Sequence, residues 1–321
     1  MTLFTVAICT RNRESSLRRA LCSLEDALKP DCEWEVLIVD NGSADGTGKI
    51  VAEFTGRLPI IYETEDRPGL SHARNKAIAR ARGDYIVWTD DDVVVERTWL
   101  TAYREAFQQW PEISIFGGKI IPTLVAPSPV WFASALPLLG HLVAACDLGP
   151  LPVSLAVEGD LLPYGANFAI RTVDQRRFPY DPRLGVAPGR RLLGEETQVI
   201  KSMLANGFRG IWIPGCGVEH IIGRERQTVR YISDYFESSG ATEIVVGGVP
   251  IGNRLFDVPL WLWRRAAARL AEYWLHRLFS PPEIWVGSLV AFAQDRGKIK
   301  QLLRQDTSAC DSDRAREIQA S

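Results

Sequence analysis

From residue 3 to residue 88, short apolar runs alternate with segments whose apolar residues recur at helical spacing, and this rhythm constrains the fold more than any other property of the chain. LFTVAIC (3–9), WEVLIVD (34–40), LPIIYE (58–63) and DYIVW (84–88) read as strands. SSLRRALCSLEDAL (15–28), GTGKIVAEFTG (46–56) and SHARNKAIARARG (71–83) read as helices between them, the last with Ser71 placed as its N-cap. Strands alternating with helices over short connections build a parallel sheet covered by helices, and such sheets bind ligands beyond the carboxyl ends of their strands.

That geometry directs three segments to one crevice: TRNR (10–13), DNGSADGT (40–47) and TDDD (89–92). The first turn is informative for what it lacks. No glycine stands between Thr2 and Gly42, so the glycine-rich turn that brings a backbone against a dinucleotide pyrophosphate is missing, and nicotinamide or flavin oxidoreductases are disfavoured. Any nucleotide must be met by side chains.

Asp90, Asp91 and Asp92 end a strand whose other residues belong in a core. Three buried, unpaired carboxylates would repel one another and take up protons. A divalent ion with oxygen ligands resolves the conflict, and Mg²⁺ or Mn²⁺ would leave positions open for substrate phosphates. A solvated acidic turn leading into the helix ERTWLTAYREAF is the alternative, and the triplet alone does not decide between them.

The formal net charge of -2 argues against a nucleic-acid partner held by overall charge. The six cysteines form no CxxC pair and no metal-finger spacing, the pattern of reduced thiols in a cytoplasmic protein. The N-terminal apolar run is too short for a signal peptide, and VWFASALPLLGHLVAACDLGPLPV (130–153) is broken by Pro137, Gly140, His141 and Asp147, which suits a buried or groove-lining segment rather than a membrane span.

In order along the chain, VAICTRNR, IVDNGSADGT, PGLSHARNKAI and VWTDDDV resemble the motifs of the inverting family 2 glycosyltransferases of GT-A fold. In the second half, PYGANFAIR (163–171), LLGEETQVIKSMLANGFRGIWIP (192–214) and GVEH (217–220) resemble that family's GAN segment, its Glu-Asp motif and its downstream histidine, with Glu195-Glu196 in place of Glu-Asp. The resemblance implies an α/β, GT-A-type (Rossmann-like), mostly parallel sheet flanked by helices, with a helical C-terminal extension. Residues 1–122 would form the nucleotide-sugar-binding half and 123–228 the acceptor and catalytic-base half, followed by a helical extension (229–300) and a disordered polar tail (301–321).

The resemblance also implies roles. Asp40 would hydrogen-bond a nucleobase, Arg74 would sit beside the base or phosphate, and Thr10, Arg11 and Arg13 would line the nucleotide pocket, with Asp91 beside them. Asp92 would bind Mn²⁺ or Mg²⁺ directly, with Asp90 near the ribose or the metal, and His220 would be a further ligand or touch the diphosphate. Glu196 would be the base, with Glu195 as the other candidate or a sugar binder. Arg224 and Arg226 would clamp phosphates, and Trp131 and Asn167 would lie on the acceptor or sugar side. Each has a duller alternative: Asp40 and Ser43 would serve only the turn, Arg74 a solvated helix face, and the glutamates only the helix dipole.

After VVGGVPIGN (245–253), the segment VPLWLWRRAAARLAEYWLHRLFSPPEIW mixes aromatic and basic residues, among them Trp261, Arg264, Arg265, Arg269, Trp274 and Arg277, at near-helical spacing. That pattern suits the surface of a membrane, and equally a helix that packs on its own domain or on a second copy in a homodimer. The expected activity is metal-dependent, inverting transfer of a sugar from a UDP, GDP or dTDP donor to a saccharide or lipid-linked acceptor in cell-surface polysaccharide or glycolipid assembly, at the inner face of the plasma membrane. A non-catalytic sugar-binding scaffold would lose the acids or the base, and a nucleotidyltransferase would need a glycine-rich triphosphate loop with a lysine.

Overall fold

A computed structural model describes residues 4–157 and 161–319, with side chains up to residue 304. Two compact units emerge: residues up to 125 together with 143–222, and residues 126–142 together with 223 onward.

The first unit is built on β1 (Phe4–Thr10), α1 (Glu14–Asp26), β2 (Trp34–Asp40), α2 (Thr47–Phe54), β3 (Ile60–Thr64), α3 (Leu70–Arg80), β4 (Tyr85–Asp90), β5 (Val93–Val95), α4 (Trp99–Gln109) and β6 (Ile115–Leu124). The four leading strands are parallel, in the order β3-β2-β1-β4. The alternation read from the sequence is therefore the topology of the sheet, and its fold class is the one expected. One local expectation fails. α3 is preceded by Gly69 at φ 133, without a side-chain cap, and Ser71 lies inside the helix, its hydroxyl donating to the Leu184 carbonyl at 2.8 Å.

Next along the chain come α5 (Val130–Ala135), a 3₁₀ turn (Leu136–Leu139) and α6 (Gly140–Val143). The first unit resumes with β7 (Val153–Ser154), β8 (Asn167–Arg171), α7 (Thr172–Gln175), the hairpin β9 (Val186–Ala187) and β10 (Arg190–Arg191), α8 (Glu195–Ala205) and β11 (Gly210–Ile222). β8 inserts antiparallel between β4 and β6, β11 lies parallel to β6, and β5 closes the far edge antiparallel to β11. Only Asp91 and Asp92 separate β4 from β5, so the acidic triplet is held between two strands rather than in a free turn.

Beneath the crevice the core is apolar and aromatic. Tyr85 stacks on Phe107 with ring centroids 3.9 Å apart, and Trp88 stacks on Phe168 at 6.1 Å. β1 and β2 are almost wholly buried, as strands covered on both faces must be.

The second unit consists mainly of α9 (Val229–Gly247), the short hairpin β12 (Arg254–Leu255) and β13 (Val258–Pro259), α10 (Leu260–Phe279) and α11 (Pro282–Gln319). α11 carries helical backbone through Gln319, into the polar stretch whose composition suggests disorder; residues 320 and 321 lie outside the described residues. Among the described residues, no helix is long and apolar enough to cross a membrane.

Candidate active site

The loops after β1 and β2 are laced together by side chains. Asn12, at φ 53, donates its backbone N–H to the Ser43 hydroxyl at 2.8 Å, and its side-chain oxygen accepts from the Ala44 N–H at 2.7 Å. The amide of Asn41 spans the next gap: its Nδ2 donates to the carbonyls of Glu65 (2.8 Å) and Arg67 (2.7 Å), and its Oδ1 accepts from the Gly69 N–H (2.7 Å). Asn41 therefore fixes the segment that delivers α3 and Arg74. Neither asparagine has a spacing pattern that marks it, although both lie inside motifs already singled out.

Asp40 is buried and its carboxylate is engaged on both oxygens, accepting from the Ser43 N–H at 2.8 Å and from the Tyr62 hydroxyl at 2.7 Å. It does shape the turn, and it also ties the turn to β3. Thr10 donates to Asp91 at 2.7 Å, Arg13 lies 3.1 Å from Asp92 and 3.8 Å from Asp91, and Arg11 is exposed.

Arg74, expected beside a base or phosphate, lies among carboxylates. It is 3 % exposed, with its guanidinium 5.3 Å from the Tyr180 ring centroid. It donates to Glu195 at 3.0 Å and lies 3.6 Å from Asp90 and 3.7 Å from Glu196. One guanidinium thus faces three carboxylates drawn from two distant parts of the chain. Such a set cannot be fully ionised without excess negative charge. Burial, reinforced by the Glu196 charge and opposed by Arg74, raises the Glu195 carboxyl to about 8. Burial likewise raises Asp90, opposed by Arg74 and reinforced by Asp92, and lifts Asp91 to about 7, opposed by Arg13.

α8 opens on this cluster. Gly194, in the left-handed region at φ 80, turns the chain so that Glu195 and Glu196 occupy the first turn, where carboxylates are favoured by the helix dipole. The two differ in access: the Glu195 side chain is 6 % exposed and bound to Arg74, whereas that of Glu196 is 16 % exposed. The GAN segment explains itself here. A Cβ at Gly165 would lie 2.9 Å from Arg74 Nη2 and 3.3 Å from the Glu196 carboxyl carbon, so a side chain here would push the guanidinium and the carboxylate from their places.

Asn167, expected on the acceptor or sugar side, lies in the core. It is 0 % exposed, accepts from Trp99 Nε1 (3.0 Å) and the Tyr103 hydroxyl (2.9 Å), and donates to the carbonyls of Lys119 (2.9 Å) and Cys216 (2.6 Å). Its full hydrogen-bonding capacity is used between α4 and the sheet. Trp131, Arg224 and Arg226 belong to the second unit, where Trp131 packs on Trp285 at 5.2 Å and the Arg226 guanidinium lies 5.9 Å from the Tyr231 ring centroid.

His220, opposite Val93 in the β11–β5 pairing, is buried. Its Nδ1 lies 2.7 Å from the Val143 carbonyl oxygen, which can only accept, so Nδ1 carries a proton and Nε2 faces Asp92 Oδ1 at 3.4 Å. Among the described residues, no group of three or more His, Cys, Asp or Glu is arranged as a complete metal cage. The Asp92–His220 pair nevertheless fits a hard divalent ion that takes its other ligands from phosphate oxygens and water, and the mutual repulsion of Asp90 and Asp92 is what such an ion relieves.

Residues 5–123 match the family model described as glycosyl transferase family 2. The uncharacterized glycosyltransferase YfnE of Bacillus subtilis is 29% identical over 114 residues, covering 35% of this chain and 29% of that protein. Glycosyltransferase AglE of Haloferax volcanii is 32% identical over 99 residues, 30% of this chain and 32% of the relative. The putative teichuronic acid biosynthesis glycosyltransferase TuaG of Bacillus subtilis is 33% identical over 93 residues, 28% and 36% of the two chains. The match spans about a third of the length of these curated relatives.

Solved structures extend the likeness over nearly the whole chain. The mannosyltransferase PcManGT from Pyrobaculum calidifontis, in complex with GDP-Man and Mn²⁺, has a TM-score of 0.60 at 17% identity and covers 92% of this chain and 86% of its own. TarS 1-349 of S. aureus in complex with UDP has a TM-score of 0.54 at 15% identity, covering 94% and 92%. The fold is GT-A, and residues 5–123 are the part of it that matches the glycosyl transferase family 2 model.

Proposed function

We propose that the protein transfers a glycosyl residue from a nucleoside diphosphate sugar to an acceptor hydroxyl, with metal dependence and inversion at the anomeric carbon. The observation that carries this reading is the shared position of Arg74. It brings the strand-end acid Asp90 and the helix-opening Glu196 to one point, so donor-side acids and a carboxylate base face the same reaction space. The nucleotides named with PcManGT and TarS support the donor class, and TuaG supports a place in cell-surface polysaccharide assembly.

In this reading Thr10 and Arg13 hold Asp91 and Asp92 in place, and Asp40 with Tyr62 shapes the nucleobase side of the crevice. A divalent ion held by Asp92 and His220 would neutralise charge on the departing diphosphate. Glu196 accepts the acceptor proton as the acceptor oxygen bonds the anomeric carbon and the bond to the diphosphate breaks. Glu195, locked on Arg74, orients the guanidinium instead of reacting. With a single base and no covalent intermediate, the configuration would invert.

Calorimetric titration with UDP, GDP and dTDP, each with Mn²⁺ and with EDTA, tests the reading. Metal-dependent binding of one nucleotide, lost in Asp92→Ala, is expected. Failure of every nucleotide to bind under both conditions would overturn it and favour a non-catalytic scaffold.

A further inference from the structure

The second unit holds a helix, α10, that buries Leu262, Ala266 and Tyr273 and still leaves large apolar side chains exposed. α10 turns Arg265 and Arg269 inward onto Asp295 of α11, which is 0 % exposed and accepts from Arg265 at 2.6 and 2.8 Å and from Arg269 at 2.9 Å. The basic residues that suggested a membrane-facing helix are thus largely committed to a buried ion pair. Outward, the same helix exposes Trp274 (57%), Leu275 (57%), Leu278 (72%) and Phe279 (79%). The exposed charges on α10 are Arg264, Glu272 and Arg277, of both signs, with Arg277 stacked 4.1 Å from the Trp285 ring centroid.

Among the exposed positions of α10, 264, 267, 268, 271, 274, 275 and 278 form one helical stripe centred on Ala271. On the N-terminal side of that centre stand small residues, Ala267 and Ala268, and on the C-terminal side large ones, Trp274 and Leu275. Two copies of α10 laid antiparallel about a two-fold axis at Ala271 would set Leu275 of each against Ala267 of the other, and Trp274 against Ala268. Small against large at the facing pairs nearest the axis is the condition for close helix packing, and a closed two-fold contact uses one surface twice. The apolar side chains on this face offer on the order of 600–800 Å² per copy, near the ~800 Å² per partner of a stable interface.

From this self-complementarity we infer that α10 is the interface of a homodimer, formed by antiparallel α10–α10 packing centred on Ala271. A bilayer surface would gain from uncommitted cations, whereas Arg265 and Arg269, though partly exposed, are engaged by Asp295 and the remaining exposed charges of α10 are of both signs, so the second copy is the occupant that the charge distribution favours.

The test is light scattering and sedimentation equilibrium on the full chain over a wide concentration range, with circular dichroism confirming that each variant is folded. The native protein is expected to be a dimer with micromolar or tighter affinity. Leu275→Glu and Ala267→Lys, both at exposed positions, are each expected to weaken dimerisation at least ~10-fold. Combined in one chain, the two substitutions set an introduced acid on each copy against an introduced base on the other, twice over, and should recover the dimer. A native protein that stays monomeric overturns the inference, as does a dimer indifferent to both single variants. Flotation of a monomeric native protein with phosphatidylglycerol vesicles would overturn it in favour of a lipid surface.

Discussion

Arg74 and Glu195, separated by 121 positions in sequence, lie 3.0 Å apart with both side chains withdrawn from solvent. α3 and α8 meet through this pair, and it places the second half of the chain on the acids of the first. Because burial raises the Glu195 carboxyl to about 8, the contact at neutral pH is a hydrogen bond from a charged guanidinium to a buried carboxyl.

Arg74→Ala should lower stability by about 1–3 kcal/mol, because the buried Glu195 carboxyl loses its hydrogen-bond donor and Asp90 loses a nearby positive charge. Urea denaturation monitored by fluorescence measures this. Arg74→Lys keeps the charge but loses the planar fork, and its stability should fall between those of the native protein and the alanine variant.

The raised Glu195 carboxyl gives stability a pH dependence of defined sign. An unfolded chain releases this proton near 4.5, whereas the folded protein holds it to about 8. The stabilisation from the protonated group is complete below pH 4.5 and is lost as pH rises through 8. Denaturation midpoints should decline across that window, and Glu195→Gln, which has no proton to lose, should flatten the decline.

Glu196→Gln should bind donor nucleotide with near-native affinity and lose about 10²–10⁴ in turnover, the range expected when a general base is removed. Single-turnover kinetics alongside calorimetry separates the two effects. Native turnover in this variant would transfer the role to another group.

Asn167→Ala orphans Trp99 Nε1, the Tyr103 hydroxyl and the carbonyls of Lys119 and Cys216 in one step. A loss of about 2–4 kcal/mol is expected by denaturation, since each unpaired buried polar group carries its own desolvation penalty. A direct acceptor role would instead raise the acceptor KM with stability unchanged.

Asn41→Ala releases the segment before α3 by removing three hydrogen bonds to the backbone. Its effect should appear as weaker nucleotide binding, by about 1–2 kcal/mol, with a smaller change in turnover once donor is saturating. Titration calorimetry paired with steady-state kinetics checks this.

The sequence by itself determined the parallel sheet, the convergence of the strand-end loops and the acidic opening of α8, because these follow from local periodicity, from the polarity of strands and from residues adjacent in the chain. Asp90, Asp92, Glu195 and Glu196 were legible for that reason. Only the tertiary structure decided which groups share a charge. The partners of Arg74 come from β4 and α8, Asn167 is pinned by α4, β6 and β11, and Arg265 and Arg269 turn toward Asp295 across a helix pair. A motif fixes where a side chain leaves the backbone. The partner it meets depends on which distant element the fold packs against it, and burial then sets how strongly the two must satisfy each other.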